Sequence, residues 1–180
     1  AFMSYHFPDL VDPWQLCDQG AEITGRIPLE SLPRLAPLLV PAQGEAAFTL
    51  LFSRNEHNQR VISSRVDATL AITCQRCLEP MDLPVEEMNM MVPVTGEQEA
   101  ELLPENMDPL LLDRGATLKI VDLIEDELLL AIPPAPRHTP EECQVDLADF
   151  SDEPPVADQD SEKDNPFAIL AGLKNSDTDN

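Results

Sequence analysis

The chain has 180 residues, 43% of them hydrophobic, and sets 11 Lys and Arg against 34 Asp and Glu for a formal charge of −23. That length suits one domain with an appendage. The charge excludes a general binder of phosphate backbones, which needs cations to displace counterions.

Residues 1–17 read as a loosely docked arm with at most one strand, its single Trp14 packing on the core. Ala21, Ile23, Gly25 and Ile27 alternate with Glu22, Thr24 and Arg26, a strand ended by Pro28. Over 29–39, Ser31 is placed to cap a short helix with Pro33 in its first turn, and Pro37 keeps it short. Ala46, Phe48, Leu50 and Phe52 alternate in the next strand, and 55–59 is a polar turn. Val66, Ala68, Leu70, Ile72 and Cys74 again occupy every second position, the mark of a strand with one buried face. Met81, Leu83 and Val85 alternate in their turn. Glu86-Glu87 then breaks the phase, and Met88, Met90 and Val92 resume on the other parity, so a β-bulge is expected there. The two runs form a hairpin with Cys74-x-x-Cys77 at its tip.

Residues 97–106 are acidic, with room for one helical turn. A helix is expected from Asp122, whose spacing to Glu125 resembles a capping box, to Ile132, where Pro133-Pro134 stops it. Ile124, Leu128 and Ile132 form its apolar side, with Glu125 and Asp126 pointing elsewhere. Residues 144–164 hold eight acids and one Lys, too little apolar surface to offset ordering entropy, and read as a disordered linker. Asn165-Pro166 then suits a helix start, Phe167, Leu170 and Leu173 give a short apolar stripe within 165–174, and 175–180 should fray. The expected fold is α+β and mainly antiparallel β: a curled sheet or partly open barrel over 18–143, with one or two packed helices and a disordered acidic C-terminal tail.

Three motifs together resemble the YceD family, the large ribosomal RNA subunit accumulation proteins. They are Cys74-Gln-Arg-Cys77-Leu-Glu-Pro80, the acidic segment Val121–Pro133 followed by Pro136-Arg137-His138 through Cys143, and the terminal Asn165–Lys174. On this resemblance the motif residues are Cys74, Arg76, Cys77, Glu125, Glu127, His138, Cys143, Pro166 and Phe167. It implies a non-enzymatic cytoplasmic factor that supports synthesis, processing or stability of the large-subunit ribosomal RNA by binding.

The residues themselves narrow the partners. Positions 54–76 carry Arg54, Arg60, Arg65 and Arg76 against Glu56 and Asp67, whereas 97–164 carries 20 acids against Arg114, Lys119, Arg137 and Lys163. The acidic half suits a basic ribosomal or ribosome-assembly protein, and contact with ribosomal RNA is indirect or confined to the four arginines. Phe167, Leu170 and Leu173 are further partner-contact candidates. No apolar run approaches the roughly 18 residues of a membrane span, and no signal-peptide pattern is present, so a cytoplasmic protein with reduced thiols is expected.

Cys74, Cys77, His138 and Cys143 are the candidate zinc ligands, but His138 and Cys143 follow late on a Pro-rich stretch, and no metal or other cofactor is assigned from the sequence. A thioredoxin-type pair is disfavoured because the motif follows a strand and precedes a turn, not a helix. The bland alternative is a hairpin tip with partly buried cysteines and Arg76 facing solvent. His6, His57 and His138 sit in no nucleophile or metal motif, no Gly-rich phosphate loop exists, and no small-molecule substrate is evident. The competing functional reading is a zinc- or thiol-dependent regulatory or interaction module unrelated to RNA.

Overall fold

A computed structural model describes residues 7–104, 107–113 and 115–143. In chain order these form β1 (Leu10–Val11), α1 (Pro13–Gln19), β2 (Glu22–Pro28), β3 (Glu45–Arg54), β4 (Arg60–Thr73), β5 (Pro80–Val94), α2 (Glu97–Ala100), β6 (Asp108–Leu111), β7 (Leu118–Lys119) and α3 (Ile120–Ala131). The main sheet has the order β2-β3-β4-β5-β6, antiparallel except for the parallel pair β5–β6. A separate two-stranded sheet joins β1 to β7. The fold is therefore α+β around a mainly antiparallel sheet. The expected curling or partial closure into a barrel is not found, because β2 and β6 end the sheet as separate edges.

Period-two alternation does what the sequence predicts in the centre of this sheet. Ala46, Phe48, Leu50 and Phe52 of β3 and Ile62, Val66, Leu70 and Ile72 of β4 are all buried on one face. Phe7 covers the same side of β2, edge-on to Phe48 with ring centroids 4.9 Å apart. Gly25 lies beneath them, where an added Cβ would sit 2.4 Å from the Phe7 ring. Burying the Val, Leu, Ile and Phe side chains among these stabilises the sheet by about 1.5–3 kcal/mol each. The helix α3 adds Ile120, Ile124 and Leu128 to that core, and α1 adds Cys17.

Four local expectations are corrected. No bulge occurs at Glu86-Glu87: the register runs unbroken from Ile62↔Met91 to Thr73↔Pro80. The change of phase has another cause. Val92 and Val94 lie on the outer face and are covered there by a second small core with Val61, Ala100, Leu103 and Met107, while Met88 stays 72% exposed. Residues 29–39 form two 3-10 turns, Leu29–Ser31 and Ala36–Leu38, without a helix capped by Ser31. In the expected arm, Pro13–Gln19 folds as a helix capped by the Asp12 side chain and closed by Gly20 at φ 65°. Finally, α3 begins two residues before Asp122, and Glu125 is buried, not turned away.

The hairpin β4–β5 is longer than its support. Pairing between β3 and β4 ends at Ala47↔Asp67, whereas β4 and β5 stay paired to Thr73↔Pro80. The last six residues of β4 thus extend beyond β3, and the Val40 amide closes part of their open edge by donating to the Ala71 carbonyl at 2.7 Å. The cysteine motif sits at the end of this extension. Among the described residues no helix is long and apolar enough to cross a membrane. The linker 144–164, the terminal motif 165–174 and the end 175–180 lie outside the described residues.

Candidate metal-binding site at the hairpin tip

The turn between β4 and β5 is built from backbone bonds that curl the chain around one sulfur. Cys74 N–H donates to the Glu79 carbonyl at 2.9 Å, and Leu78 N–H donates to the Cys74 carbonyl at 3.0 Å. Leu78 adopts φ 63°, a left-handed conformation that is uncommon outside glycine and costs energy here. The curl aims the Arg76 amide at Cys74 Sγ, 3.4 Å away. Cys74 is fully buried, and Cys77 is half-buried.

The segment after α3 crosses this tip. Gln75 N–H donates to the Pro136 carbonyl at 2.8 Å, and Pro136 is buried. A turn in which the amides of Glu142 and Cys143 both donate to the Thr139 carbonyl brings Cys143 back toward the hairpin. His138 Nδ1 then lies 3.3 Å from Cys77 Sγ, across 61 residues of sequence. His138 Nε2 lies 3.2 Å from the Pro80 carbonyl. A carbonyl only accepts, so Nε2 carries the proton of that bond and a neutral ring presents its Nδ1 lone pair to the sulfurs.

The ligand atoms of Cys74, Cys77, His138 and Cys143 all lie within 4.8 Å of one another. No disulfide joins any of the four cysteines of the chain, and Cys17 is buried elsewhere, 3.5 Å from the Val61 carbonyl. The electrostatics of the cluster are uneven. Burial pushes the Cys74 thiol up, but backbone hydrogen bonds from Cys77, His138 and Arg76 outweigh it and hold the thiol down at about 5. For Cys77, the bond from the Glu79 backbone lowers the thiol, yet burial and the neighbouring Cys74 and Cys143 sulfurs leave it raised. Burial disfavours charge on His138, but the Cys74 sulfur and the Pro80 carbonyl prevail and raise it. Three sulfurs and one imidazole nitrogen are soft donors suited to zinc, and unsuited to magnesium or calcium.

Arg76 does not face solvent, as the bland sequence reading had it. Its Nε donates to Cys143 Sγ at 3.0 Å and its Nη2 to the His138 carbonyl at 3.1 Å. The other three arginines of the candidate RNA set lie apart from it. Arg54 and Arg60, at the opposite end of β4, both bind Asp18, at 2.6 and 2.8 Å. Their hydrogen bonds, with the Arg60 bond foremost, hold the Asp18 carboxyl down at about 2. Arg65 bridges Asp67 and Glu86, which stand opposite each other on β4 and β5.

Glu125 and Glu127 are placed by α3, away from the cysteines. Glu125 is 1% exposed and accepts from the backbone amides of Arg34 and Leu35 and from Arg34 Nε. Glu127 is buried against β5 and accepts from Asn89 Nδ2 at 3.4 Å. Pro166, Phe167, Leu170 and Leu173 lie outside the described residues. Sequence reasoning missed Arg34, Asp18 and the Pro80 carbonyl. None carries a local signal, since each matters only through a partner distant in the chain.

Comparison with known proteins agrees with the motifs that form the tip. A large ribosomal RNA subunit accumulation protein YceD from Haemophilus influenzae is 31% identical over 169 residues, which cover 93% of this chain and 95% of that protein. No solved structure matches. The family model described as large ribosomal RNA subunit accumulation protein YceD matches residues 62–174, a span that begins in β4 and takes in the hairpin tip, all of β5, α3 and the segment carrying His138 and Cys143. With that match and a relative of near-equal length, the chain belongs to the YceD family.

Proposed function

We propose that the protein is a non-catalytic cytoplasmic factor that supports accumulation of the large-subunit ribosomal RNA, and that it acts by binding a basic ribosomal or ribosome-assembly protein. The role in RNA accumulation follows from family membership. One observation carries the choice of a protein as direct partner: six of the eleven Lys and Arg of this acidic chain are already paired with its own acids. Arg26, Arg34, Arg54, Arg60, Arg65 and Lys119 are each ion-paired within the fold. A phosphate backbone would have to compete with those carboxylates and with a charge of −23. A basic protein meets the same field as an attraction.

Any direct contact with RNA falls to Arg54, Arg60, Arg65 and Arg76, and the terminal motif with Phe167, Leu170 and Leu173 supplies a second contact, to a groove on the partner. The cysteine–histidine cluster favours the second reading, a metal- or thiol-dependent module, but it does not separate the two, because a ribosome-assembly factor can contain a structural metal. Sedimentation with precursors of the large ribosomal subunit separates them. The binding factor travels with those particles; a module unrelated to RNA stays at the top of the gradient.

A further inference from the structure

We propose that Cys74, Cys77, His138 and Cys143 form a closed structural zinc site that clamps the segment 136–143 onto the tip of the β4–β5 hairpin. The donors are gathered from both sides of a 61-residue gap, with all four ligand atoms inside 4.8 Å. A tetrahedral zinc with Zn–S near 2.3 Å and Zn–N near 2.0 Å has edges of roughly 3.5–3.8 Å, so the cluster needs to contract by only about 1 Å at its widest.

The surroundings fit the same chemistry. His138 is held by its Nε2 bond to the Pro80 carbonyl, the outer partner that a zinc-bound imidazole usually has, and its other nitrogen faces the sulfurs. The Arg76 amide points at Cys74 Sγ and stabilises negative charge on that sulfur. Three thiolates and a neutral imidazole around a divalent ion leave one negative charge, and the Arg76 guanidinium lies 3.0 Å from Cys143 Sγ to offset it. Four protein donors leave no open position, so the site would be structural and not catalytic.

The fold also has a use for such a clamp. The hairpin runs past the end of its β3 pairing at Asp67, and a two-stranded ribbon alone is marginally stable in water. A metal joining its tip to the segment after α3 would tie that ribbon to the body of the domain. Leu78 keeps its left-handed conformation at the same turn, a strain that surrounding structure must hold.

The test uses the full chain, purified under reducing conditions from zinc-replete medium, and its metal-free form titrated with cobalt(II). The expected result is one zinc per chain. Cobalt should give the intense visible band of tetrahedral coordination and a near-ultraviolet sulfur-to-metal charge-transfer band. In C74S, C77S or C143S that band should fall by about a third, one thiolate in three, and zinc affinity should fall at least about 100-fold. H138A should weaken zinc binding while keeping the charge-transfer band. C17S should change neither readout. The proposal is overturned if wild-type protein holds well under one zinc per chain and shows no tetrahedral cobalt spectrum, or if C143S binds zinc as tightly as wild type. The cobalt spectrum is read on wild-type protein, so a variant that fails to fold does not remove the test. Ribosome association plays no part in these readouts, so this inference and the proposed function can fail separately.

Discussion

Glu125 Oε2 lies 2.8 Å from Arg34 Nε, and the carboxylate making that bond is only 1% exposed. The same carboxylate accepts the Arg34 amide at 2.7 Å and the Leu35 amide at 3.1 Å, so it ties α3 to the two 3-10 turns 90 residues earlier. Arg34 also reaches Asp126 and is itself half-exposed. The carboxylate, not the guanidinium, is therefore the part of the joint that nothing else replaces.

Truncating the two partners should accordingly cost different amounts. E125A leaves two amides without their acceptor at a buried position and is expected to cost about 3 kcal/mol. R34A keeps both amide bonds and should cost clearly less than E125A. Urea unfolding followed by the fluorescence of Trp14, the one tryptophan, measures both. Equal losses would show that the amide bonds contribute little.

Glu127 gives a pH dependence of known sign. Burial raises its carboxyl above the ordinary value of 4.5; the Asn89 bond opposes this, and Glu87, Asp108 and Asp126 add to it. The folded chain thus holds this proton more tightly than the unfolded chain does. Stability from that group is complete below about pH 4.5 and is lost as pH rises through the folded value. E127Q should raise the melting temperature most at pH 8, with a gain that shrinks as the pH is lowered toward 5. A gain independent of pH would remove the carboxyl as its cause.

Where RNA is touched, the contact should map to four side chains. Replacing Arg54, Arg60, Arg65 and Arg76 together by Gln is expected to bring ultraviolet crosslinking to RNA down to background. A triple variant that spares Arg76 leaves the hairpin tip intact and should retain at most a small part of the signal. Crosslinking at the wild-type level in the quadruple variant would move the contact elsewhere.

Deleting residues 165–180 should leave the melting temperature nearly unchanged and weaken association with the assembling large subunit. At helical spacing Phe167, Leu170 and Leu173 would line one face of barely two turns, and a helix that short needs a partner surface to be stable. A fall of several degrees in the melting temperature would assign the motif to the domain's own packing.

What the sequence revealed of this fold depended on how far each signal had to reach. Strict alternation in β3 and β4 was legible because the main core covers one face along their length. In β5 the same rule misled, since Val92 and Val94 point outward into a second core made with Ala100, Leu103 and Met107, which alternation within one strand does not reveal. Glu125 looked solvent-facing in a chain rich in acids, and its three donors come from a segment with no matching pattern. The hairpin placed Cys74 and Cys77 together from sequence alone. Their meeting with His138 and Cys143 depends on the path after α3 and on bonds such as Gln75 to Pro136, which no spacing rule encodes.

The most direct test of the binding account is sedimentation of the tagged full chain from cells on a sucrose gradient, before and after a high-salt wash. The account predicts that the protein travels with precursors of the large ribosomal subunit and is released by salt, as attraction between an acidic surface and a basic protein is screened. Protein that stays at the top of the gradient at low salt, with those precursors present in the same lysate, would contradict it.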